Sequence, residues 1–404
     1  MDIMEKAFKI LKQPVCNSCL GRQYAQLLSG FSNAERGRIL KTAVAMHIDV
    51  EDKTNDMDMS NFSEYDFHNL EILKPTRKKC SVCDGLLDNI AMLAKGVAIK
   101  AKKYDFRTFL VGTKLSFDLL TKEEDMWERI GVDSCEPMKA EINREVGKAV
   151  EKLLPGKKFE PKKPEVNFLL DLNENSISIL VNPMFVYGEY QKLVRGIPQT
   201  KWPSGKYKNS VEQIIAKPFM KASKGKQHSL HAMGREDIDA RCLAWRPFVL
   251  EVTEPKIRSL NLKRMQKSVG KGVNVRGLRF SSVDEIRKIK ETRSDKTYQA
   301  LVECKKPINR KDLSKVKKLI GDIKQRTPER VLHRRSDLTR NRKVKSITAK
   351  YVGKNRFILT VKGEAGLYIK ELISGDNGRT KPSLSDIMGS ECRCKELDVI
   401  KIHV

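Results

Sequence analysis

The chain of 404 residues carries 79 Lys and Arg against 51 Asp and Glu, a formal net charge of +28. This length predicts about two or three domains, and the positive excess indicates a polyanionic partner such as nucleic acid. Because no segment approaches the ~20 apolar residues of a membrane span and no signal-peptide pattern opens the chain, we expect a soluble, cytoplasmic protein without a membrane partner. Nine cysteines, an odd number without a secretory signal, argue against a disulfide framework.

Residues 1–100 are predicted to be helical and to contain a metal site. Apolar residues recur every three or four positions in AFKILKQ, GRQYAQLL and NAERGRILKTAVAM. Cys16 and Cys19 form one Cys-x-x-Cys turn, and Cys80 and Cys83 form a second. Two such turns supply the four thiolates of a tetrahedral zinc site, so we predict one structural Zn²⁺. A redox pair or unconnected thiols are the alternatives.

Residues 101–203 are predicted to form a small α+β module. RTFLVGTKL, VNFLLDL and SISILV have strand patterns, and KAEINREVGKAVEKLL has a helical one. Pro, Trp and Gly residues then interrupt the pattern, which places a domain boundary after residue 203. The segments FLVGTKL, EINREVGKAV, PEVNFLLDL and VNPMFVYGEYQKLVRGIPQT resemble a THUMP-type RNA-binding module. The resemblance implies that this module docks to a tRNA.

The last of these segments brings aromatic rings and cations together. Tyr187, Tyr190, Lys192 and Arg195 all lie within it. Aromatic faces stack on RNA bases and cations bind the RNA backbone, so we predict RNA contacts here, Arg195 among them. An ordinary packed β-hairpin with a solvated basic edge is the alternative.

Residues 204–404 are predicted to form a larger α+β domain. The strand patterns RPFVLEV, YQALVEC, RFILTVKG and LDVIKIHV alternate with the basic helical patterns KRMQKSV and RKDLSKVKKLIGDIK, which favours a mixed, mainly antiparallel sheet. Residues 221–231 and 326–345 are rich in Lys and Arg, and we expect them to bind RNA phosphates, although solvated basic strands are an alternative. The candidate RNA-binding residues in these two segments are Lys224, Lys226, Arg334 and Arg335.

The most specific motif is GREDIDAR at residues 234–241, followed by RPF at residues 246–248. It resembles the Gly-Arg-x-Asp motif of pseudouridine synthases, and its longer form resembles the archaeal and eukaryotic tRNA pseudouridine(54/55) synthase family. The resemblance implies that Asp237 is the catalytic aspartate and Arg235 its companion. On an extended strand Asp239 would share the face of Asp237, so spacing alone leaves both open, and the motif register favours Asp237.

Two later segments resemble the same family. KTYQAL at residues 296–301 resembles the segment whose tyrosine stacks on the target base, which implies that role for Tyr298. GLYIK at residues 366–370 resembles the motif whose basic residue pairs with the catalytic carboxylate. Lys370 then takes that place, and Tyr368 is a candidate substrate contact. A tyrosine on a half-buried strand and an unpaired surface lysine are the alternatives.

The resemblance as a whole implies an N-terminal zinc-bearing and THUMP-like accessory domain before a C-terminal pseudouridine synthase domain. The implied activity is isomerisation of uridine at position 54, position 55 or both in the TΨC arm of tRNA, by a monomer without an organic cofactor. The chemistry needs one ionised carboxylate near C1′ and C2′ of the sugar, and attack on the sugar and proton abstraction from C2′ both remain open. A non-catalytic tRNA-binding or chaperone protein of the same fold is the runner-up.

Overall fold

The computed structural model describes residues 2–51, 57–69 and 75–403, without the side chain of Arg334. The chain forms two compact units, Met1–Asn182 and Pro183–Val404. Each has its own sheet and its own hydrophobic core. Among the helices of the described ranges, none has the length and hydropathy of a membrane span. The predicted role of Arg334 concerns a side chain outside the described part of the structure.

The N-terminal unit combines helices with a small mixed sheet. Its helices are α1 (Ile3–Ile10), α2 (Asn17–Gly21), α3 (Asn33–Glu51), α4 (Ile90–Ala101), α5 (Phe117–Ile130) and α6 (Met138–Leu153). Its strands are β1 (Thr108–Lys114), β2 (Lys158–Phe159), β3 (Val166–Asp171) and β4 (Ser176–Val181), in the order β2-β1-β3-β4. A single buried cluster runs from Ala7 to Val181, so the segments predicted as residues 1–100 and 101–203 share one core.

Two glycines let α2 and α3 pack with their backbones in contact. A Cβ on Gly37 would lie 1.9 Å from the carbonyl oxygen of Asn17, and a Cβ on Gly21 would lie 1.8 Å from that of Asn33. Only glycine permits so close an approach of two backbones. Because α2 begins immediately after Cys16, this packing fixes the first cysteine pair against α3.

The C-terminal unit is built on one long sheet. Its strands are β5 (Met184–Lys192), β6 (His228–Ala232), β7 (Arg241–Val252), β8 (Val273–Ser281), β9 (Asp295–Cys304), β10 (Gly321–Arg326), β11 (Thr339–Gly353), β12 (Arg356–Gly363), β13 (Thr380–Lys381) and β14 (Cys392–His403). Its helices are α7 (Val211–Ser223), α8 (Leu262–Lys267), α9 (Val283–Glu291), α10 (Ile369–Ser374) and α11 (Leu384–Met388). The order is β13-β10-β11-β12-β9-β14-β7-β5-β8, with β6 also on β7. Within these described strands only β7 and β14 pair in parallel, which confirms the predicted mixed, mainly antiparallel α+β sheet.

The boundary predicted after residue 203 differs from the division in the structure, which follows Asn182. Strand β5 pairs antiparallel with β7 and β8 of the C-terminal sheet. Its alternate residues Met184, Val186 and Tyr190 belong to a core of that unit. The prediction assigned this strand to the THUMP-like module because the strand pattern shows that a strand forms but not which sheet it joins.

Candidate active site

The GREDIDAR motif forms the connection between β6 and β7, and cations hold its backbone. Lys192 Nζ donates to the carbonyl oxygens of Asp237 at 3.1 Å and Ile238 at 2.9 Å. Arg195 Nη1 donates to the carbonyl oxygen of Asp239 at 3.0 Å. Burial lowers the pKa of Lys192. These bonds fix three successive peptide groups, and with them the directions of both aspartate side chains.

A buried ion pair lies within the same motif. Arg246 Nε and Glu236 Oε2 are 3.2 Å apart, and their side chains are 1% and 0% exposed. Tyr190 donates its hydroxyl to Glu236 at 3.0 Å, and Gln199 Nε2 donates to the Tyr190 hydroxyl at 2.8 Å and to the Gly234 carbonyl at 3.0 Å. Loss of either charge would leave the other uncompensated in the core. Glu236 and Arg246 therefore have a structural role beneath the aspartates.

Asp237 lies between two cations that contact different carboxylate oxygens. Arg330 Nη1 donates to Oδ1 at 3.1 Å, and Lys370 Nζ lies 3.4 Å from Oδ2. Arg330 Nε also donates to Glu371 Oε1 at 2.7 Å. Burial disfavours the charged guanidinium, but Glu371 and Asp237 outweigh it and raise the pKa of Arg330. The carboxylate of Asp237 is thus oriented by two cationic side chains, one at each oxygen.

Lys370 contacts both aspartates and lies closer to Asp239. Its Nζ is 2.7 and 2.8 Å from the two oxygens of Asp239. Burial opposes ionisation of Asp239, but the bond to Lys370 outweighs it and lowers the pKa of Asp239. The side chain of Asp239 is 69% exposed and that of Asp237 30%. The lower exposure and the second cation, Arg330, favour Asp237 as the reactive carboxylate.

All four residues predicted to be catalytic line one cleft of about 430 Å³: Arg235, Asp237, Tyr298 and Lys370. Arg235 is exposed, whereas Tyr298 is half-buried on β9. Burial raises the pKa of Tyr298 to about 12, so its phenol is neutral at physiological pH. The cleft therefore combines an aromatic face, a carboxylate and cations.

The predicted RNA contacts are divided between the cleft and other surfaces. Arg335 and Tyr368 line the cleft, and Arg335 Nη1 donates to the Tyr368 hydroxyl at 2.7 Å. Gln325 Nε2 donates to the Tyr368 carbonyl oxygen, and the Tyr368 backbone N–H donates to Gln325 Oε1, each at 2.9 Å. The Gln325 side chain therefore fixes the backbone of Tyr368. Lys224 and Lys226 are exposed near the end of α7 and are not among the cleft residues.

Arg195, predicted to contact RNA, is partly exposed and makes several bonds within its own unit. Its Nη1 donates to the Asp239 carbonyl, and its Nη2 donates to Asp398 Oδ1 at 2.7 Å. Tyr190 and Lys192, from the same predicted RNA-binding stretch, are fully buried. The prediction is wrong for Tyr190 and Lys192, because it treated their side chains as exposed, while β5 is an inner strand of the sheet.

Lys296 and Arg330 are among the cleft residues that the sequence prediction missed. Lys296 Nζ donates to the Ser294 carbonyl at 3.0 Å, and burial, reinforced by the nearby Arg246 charge, lowers the pKa of Lys296 to about 8. Its position two residues before Tyr298 on a strand could have placed it on the same face. Arg330 lies in a predicted basic segment, but nothing in its spacing indicates Asp237, 93 residues away.

The predicted metal ligands lie together in the N-terminal unit. The sulfur atoms of Cys16, Cys19, Cys80 and Cys83 all lie within 4.8 Å of one another, and those of Cys16 and Cys83 are 3.7 Å apart. A tetrahedral thiolate site with metal–sulfur bonds of about 2.3 Å has sulfur atoms roughly 3.8 Å apart. The four thiols can therefore hold a metal ion.

Comparison with known proteins identifies the chain as a pseudouridine synthase, an isomerase, and gives its family. The family model described as "Pus10, C-terminal" matches residues 185–403, more than half of the chain, and "Pus10 THUMP domain, archaeal" matches residues 93–171. The chain therefore belongs to the Pus10 family. This confirms the enzyme class and the family predicted from GREDIDAR, and it confirms the THUMP domain.

Curated relatives match nearly the whole chain. Proteins named "tRNA pseudouridine synthase Pus10" from Methanopyrus kandleri, Methanocaldococcus jannaschii and Pyrococcus furiosus are 38%, 39% and 37% identical to it. The matches cover 96%, 98% and 99% of this chain and 95%, 94% and 98% of theirs. The match to one solved structure, "Crystal Structure of a Cbf5-Nop10-Gar1 Complex", covers 52% of this chain and 47% of that one at 17% identity, with a TM-score of 0.32.

Proposed function

We propose that this protein converts uridine to pseudouridine at position 54, position 55 or both in the TΨC arm of tRNA, with Asp237 as the catalytic carboxylate. The observation that carries the proposal is the contact of Asp237 with Arg330 and Lys370 in the cleft that Tyr298 also lines. Relatives named tRNA pseudouridine synthase support tRNA as the substrate. The net charge of +28 suits a polyanion of this size.

The reaction rearranges bonds within one nucleotide. The C1′–N1 bond breaks and its electron pair remains on N1, the base turns, and C5 bonds to C1′. C5 loses a proton and N1 gains one, so the composition is unchanged and neither an oxidant nor a group donor takes part. This balance is the reason to expect no organic cofactor. Asp237 acts either as a nucleophile at C1′ or as a base at C2′, and both roles need an oriented, ionised oxygen.

The other cleft residues have distinct proposed roles. A base within folded tRNA must leave its stack, and an aromatic face can hold it outside, which is the role proposed for neutral Tyr298. Lys370 and Arg330 orient the carboxylate. Arg235, exposed beside Asp237, is proposed to contact the RNA backbone next to the flipped nucleotide, as are Arg335 and Tyr368.

Outside the cleft, Lys224 and Lys226 are proposed to contact RNA phosphates. For the four thiols of the N-terminal unit we propose structural Zn²⁺, because an all-cysteine tetrahedral set leaves no open position for chemistry. We propose that the protein acts as a monomer in the cytoplasm, where tRNA is modified.

The test is to incubate the purified protein with an unmodified tRNA transcript, without any added cofactor, and to map pseudouridine by carbodiimide labelling and primer extension. The expected result is pseudouridine in the TΨC arm at position 54, 55 or both. Transcripts with cytidine at one of the two positions are the matched controls and assign the target. Tight tRNA binding without pseudouridine would instead identify a non-catalytic tRNA-binding protein and contradict the proposal.

A further inference from the structure

The C-terminal unit contains a second close set of thiols, Cys304 and Cys392. Cys304 ends β9 and Cys392 begins β14, and the two are direct partners in the antiparallel register. Their sulfur atoms are 2.6 Å apart, and the residues are 1% and 0% exposed. Because 88 positions separate the two cysteines, their spacing in the sequence does not indicate the pair.

The strand register already provides the backbone geometry of a disulfide bond. Directly opposite residues of antiparallel strands have Cα atoms about 4.5 to 5.5 Å apart. A disulfide requires a Cα separation of about 4.4 to 6.8 Å. Cys304 and Cys392 can therefore be joined without movement of β9 or β14. Both lie in the main hydrophobic core of the unit, so the bond would form inside packed structure.

The two thiols differ in acidity and in their position relative to a surface hollow. Cys304 lines a surface hollow of about 640 Å³, and Cys392 is not among its lining residues. The hydrogen bond with Cys392 lowers the pKa of Cys304. A thiolate is the reactive form of cysteine, so Cys304 is the thiol that reacts first when local opening at the ends of β9 and β14 admits a small oxidant.

We propose that Cys304 and Cys392 form an intramolecular disulfide when the protein meets a small-molecule disulfide. The Cys304 thiolate attacks one sulfur of the oxidant and releases the other as a thiolate. Cys392 then loses its proton and attacks the Cys304 sulfur, which releases the second thiolate. The protein loses two protons and two electrons in total, and the disulfide of the oxidant is reduced to two thiols.

The bond would stabilise the unit that contains the cleft. It closes a loop that includes α10, and so Lys370, together with β10 to β13. The disulfide would also fix the start of β14. Asp398 on this strand binds Arg195 and Arg241. A crosslink over so long a loop removes much of the freedom of the unfolded chain.

The first experiment maps the bond in the full-length protein. One portion is incubated with oxidised glutathione and one with a phosphine reductant, and both are then denatured, alkylated, digested and analysed by mass spectrometry. The expected result is a peptide pair linked through Cys304 and Cys392 in the oxidised portion only. Complete alkylation of both cysteines in the oxidised portion would overturn the proposal.

The second experiment measures stability in the same two states. Oxidised wild type is expected to melt about 10 °C above the reduced form. Cys304→Ala is expected to lose this difference, whereas Cys394→Ala, which removes a neighbouring thiol on β14, keeps it. Each variant is compared only with its own reduced form, so a general loss of stability does not affect the result. Equal melting temperatures of the linked and reduced wild type would contradict the stabilising role.

Discussion

Asp237 and Arg330, 93 residues apart in the sequence, are joined by a hydrogen bond of 3.1 Å from Arg330 Nη1 to Asp237 Oδ1. The same guanidinium donates to Glu371 Oε1 at 2.7 Å. Glu371 follows Lys370, which contacts the other oxygen of Asp237. Arg330 thus links the GREDIDAR segment, which precedes β7, to α10. It determines the position of the Asp237 carboxylate relative to Lys370.

Replacing Arg330 with leucine is expected to reduce kcat about 100-fold, because a small misplacement of a catalytic group has an effect of this size. The KM for tRNA should change little. Arg326→Leu is the matched control, since Arg326 belongs to the same basic segment and pairs with Asp337 outside the cleft. Steady-state kinetics on one transcript separates the two. An equal rise of KM in both variants, with kcat unchanged, would show that Arg330 only binds phosphate.

Lys296 is expected to make stability depend on pH. Its pKa is lowered from 10.5 to about 8 in the folded protein. At pH values between these two, Lys296 is more protonated in the unfolded chain than in the folded protein. The contribution of Lys296 to the free energy of unfolding therefore increases as pH rises. The stability of wild type relative to Lys296→Met should therefore increase from pH 8 to 10.5.

Urea denaturation of both proteins across this pH range measures the effect of Lys296. Lys290→Met, which removes an exposed lysine on α9, is the control, and its difference from wild type should stay constant. A pH-independent difference for Lys296→Met would contradict the depressed pKa.

The four-cysteine site is expected to bind one zinc ion and to maintain the N-terminal unit. Cys80→Ser should lose the metal and become sensitive to protease, because binding to such a site contributes directly to folding. Cys135→Ser removes another buried thiol of the same unit, outside the four-thiol cluster, and should retain the metal. Atomic absorption and limited trypsin digestion provide the measurements. Full metal content in Cys80→Ser would exclude the site.

The packing of α2 against α3 is expected to tolerate no side chain at residue 37. Gly37→Ala places a Cβ 1.9 Å from the Asn17 carbonyl oxygen and should destabilise the unit by about 3 kcal/mol. Gly112→Ala on β1 meets its nearest atom, in Leu169, at an ordinary 3.7 Å and is the control. Thermal unfolding followed by circular dichroism compares the two. Equal stability of both variants would show that the helices can separate at little cost.

Local patterns predicted much of this fold because periodicity is a property of neighbouring residues. KAEINREVGKAVEKLL, VNFLLDL and SISILV correspond to α6, β3 and β4. The cysteine spacing likewise predicted a cluster that forms in the structure. The family motifs predicted a set of cleft residues on the connection before β7, on β9 and near α10, and all of them line one cleft.

The remaining features depend on partners distant in sequence. RKDLSKVKKLIGDIK was predicted as a helix, but it forms a 3₁₀ helix, Arg310–Leu319, followed by β10, whose register comes from β11 and β13. The buried state of Lys192 follows from the position of β5 within the sheet. The pairing of Cys304 with Cys392 follows from the register of β9 and β14, and Arg330 and Asp237 meet although 93 positions separate them. A single sequence contains no local signal for these pairings.

The most direct test of the central claim compares Asp237→Asn with Asp239→Asn in single-turnover assays of pseudouridine formation. Both changes keep the shape of the side chain and remove one negative charge beside Lys370. We expect Asp237→Asn to form no detectable pseudouridine while binding tRNA as tightly as wild type, and Asp239→Asn to retain activity. Full activity of Asp237→Asn, with loss of activity in Asp239→Asn, would contradict the account and assign the reaction to Asp239.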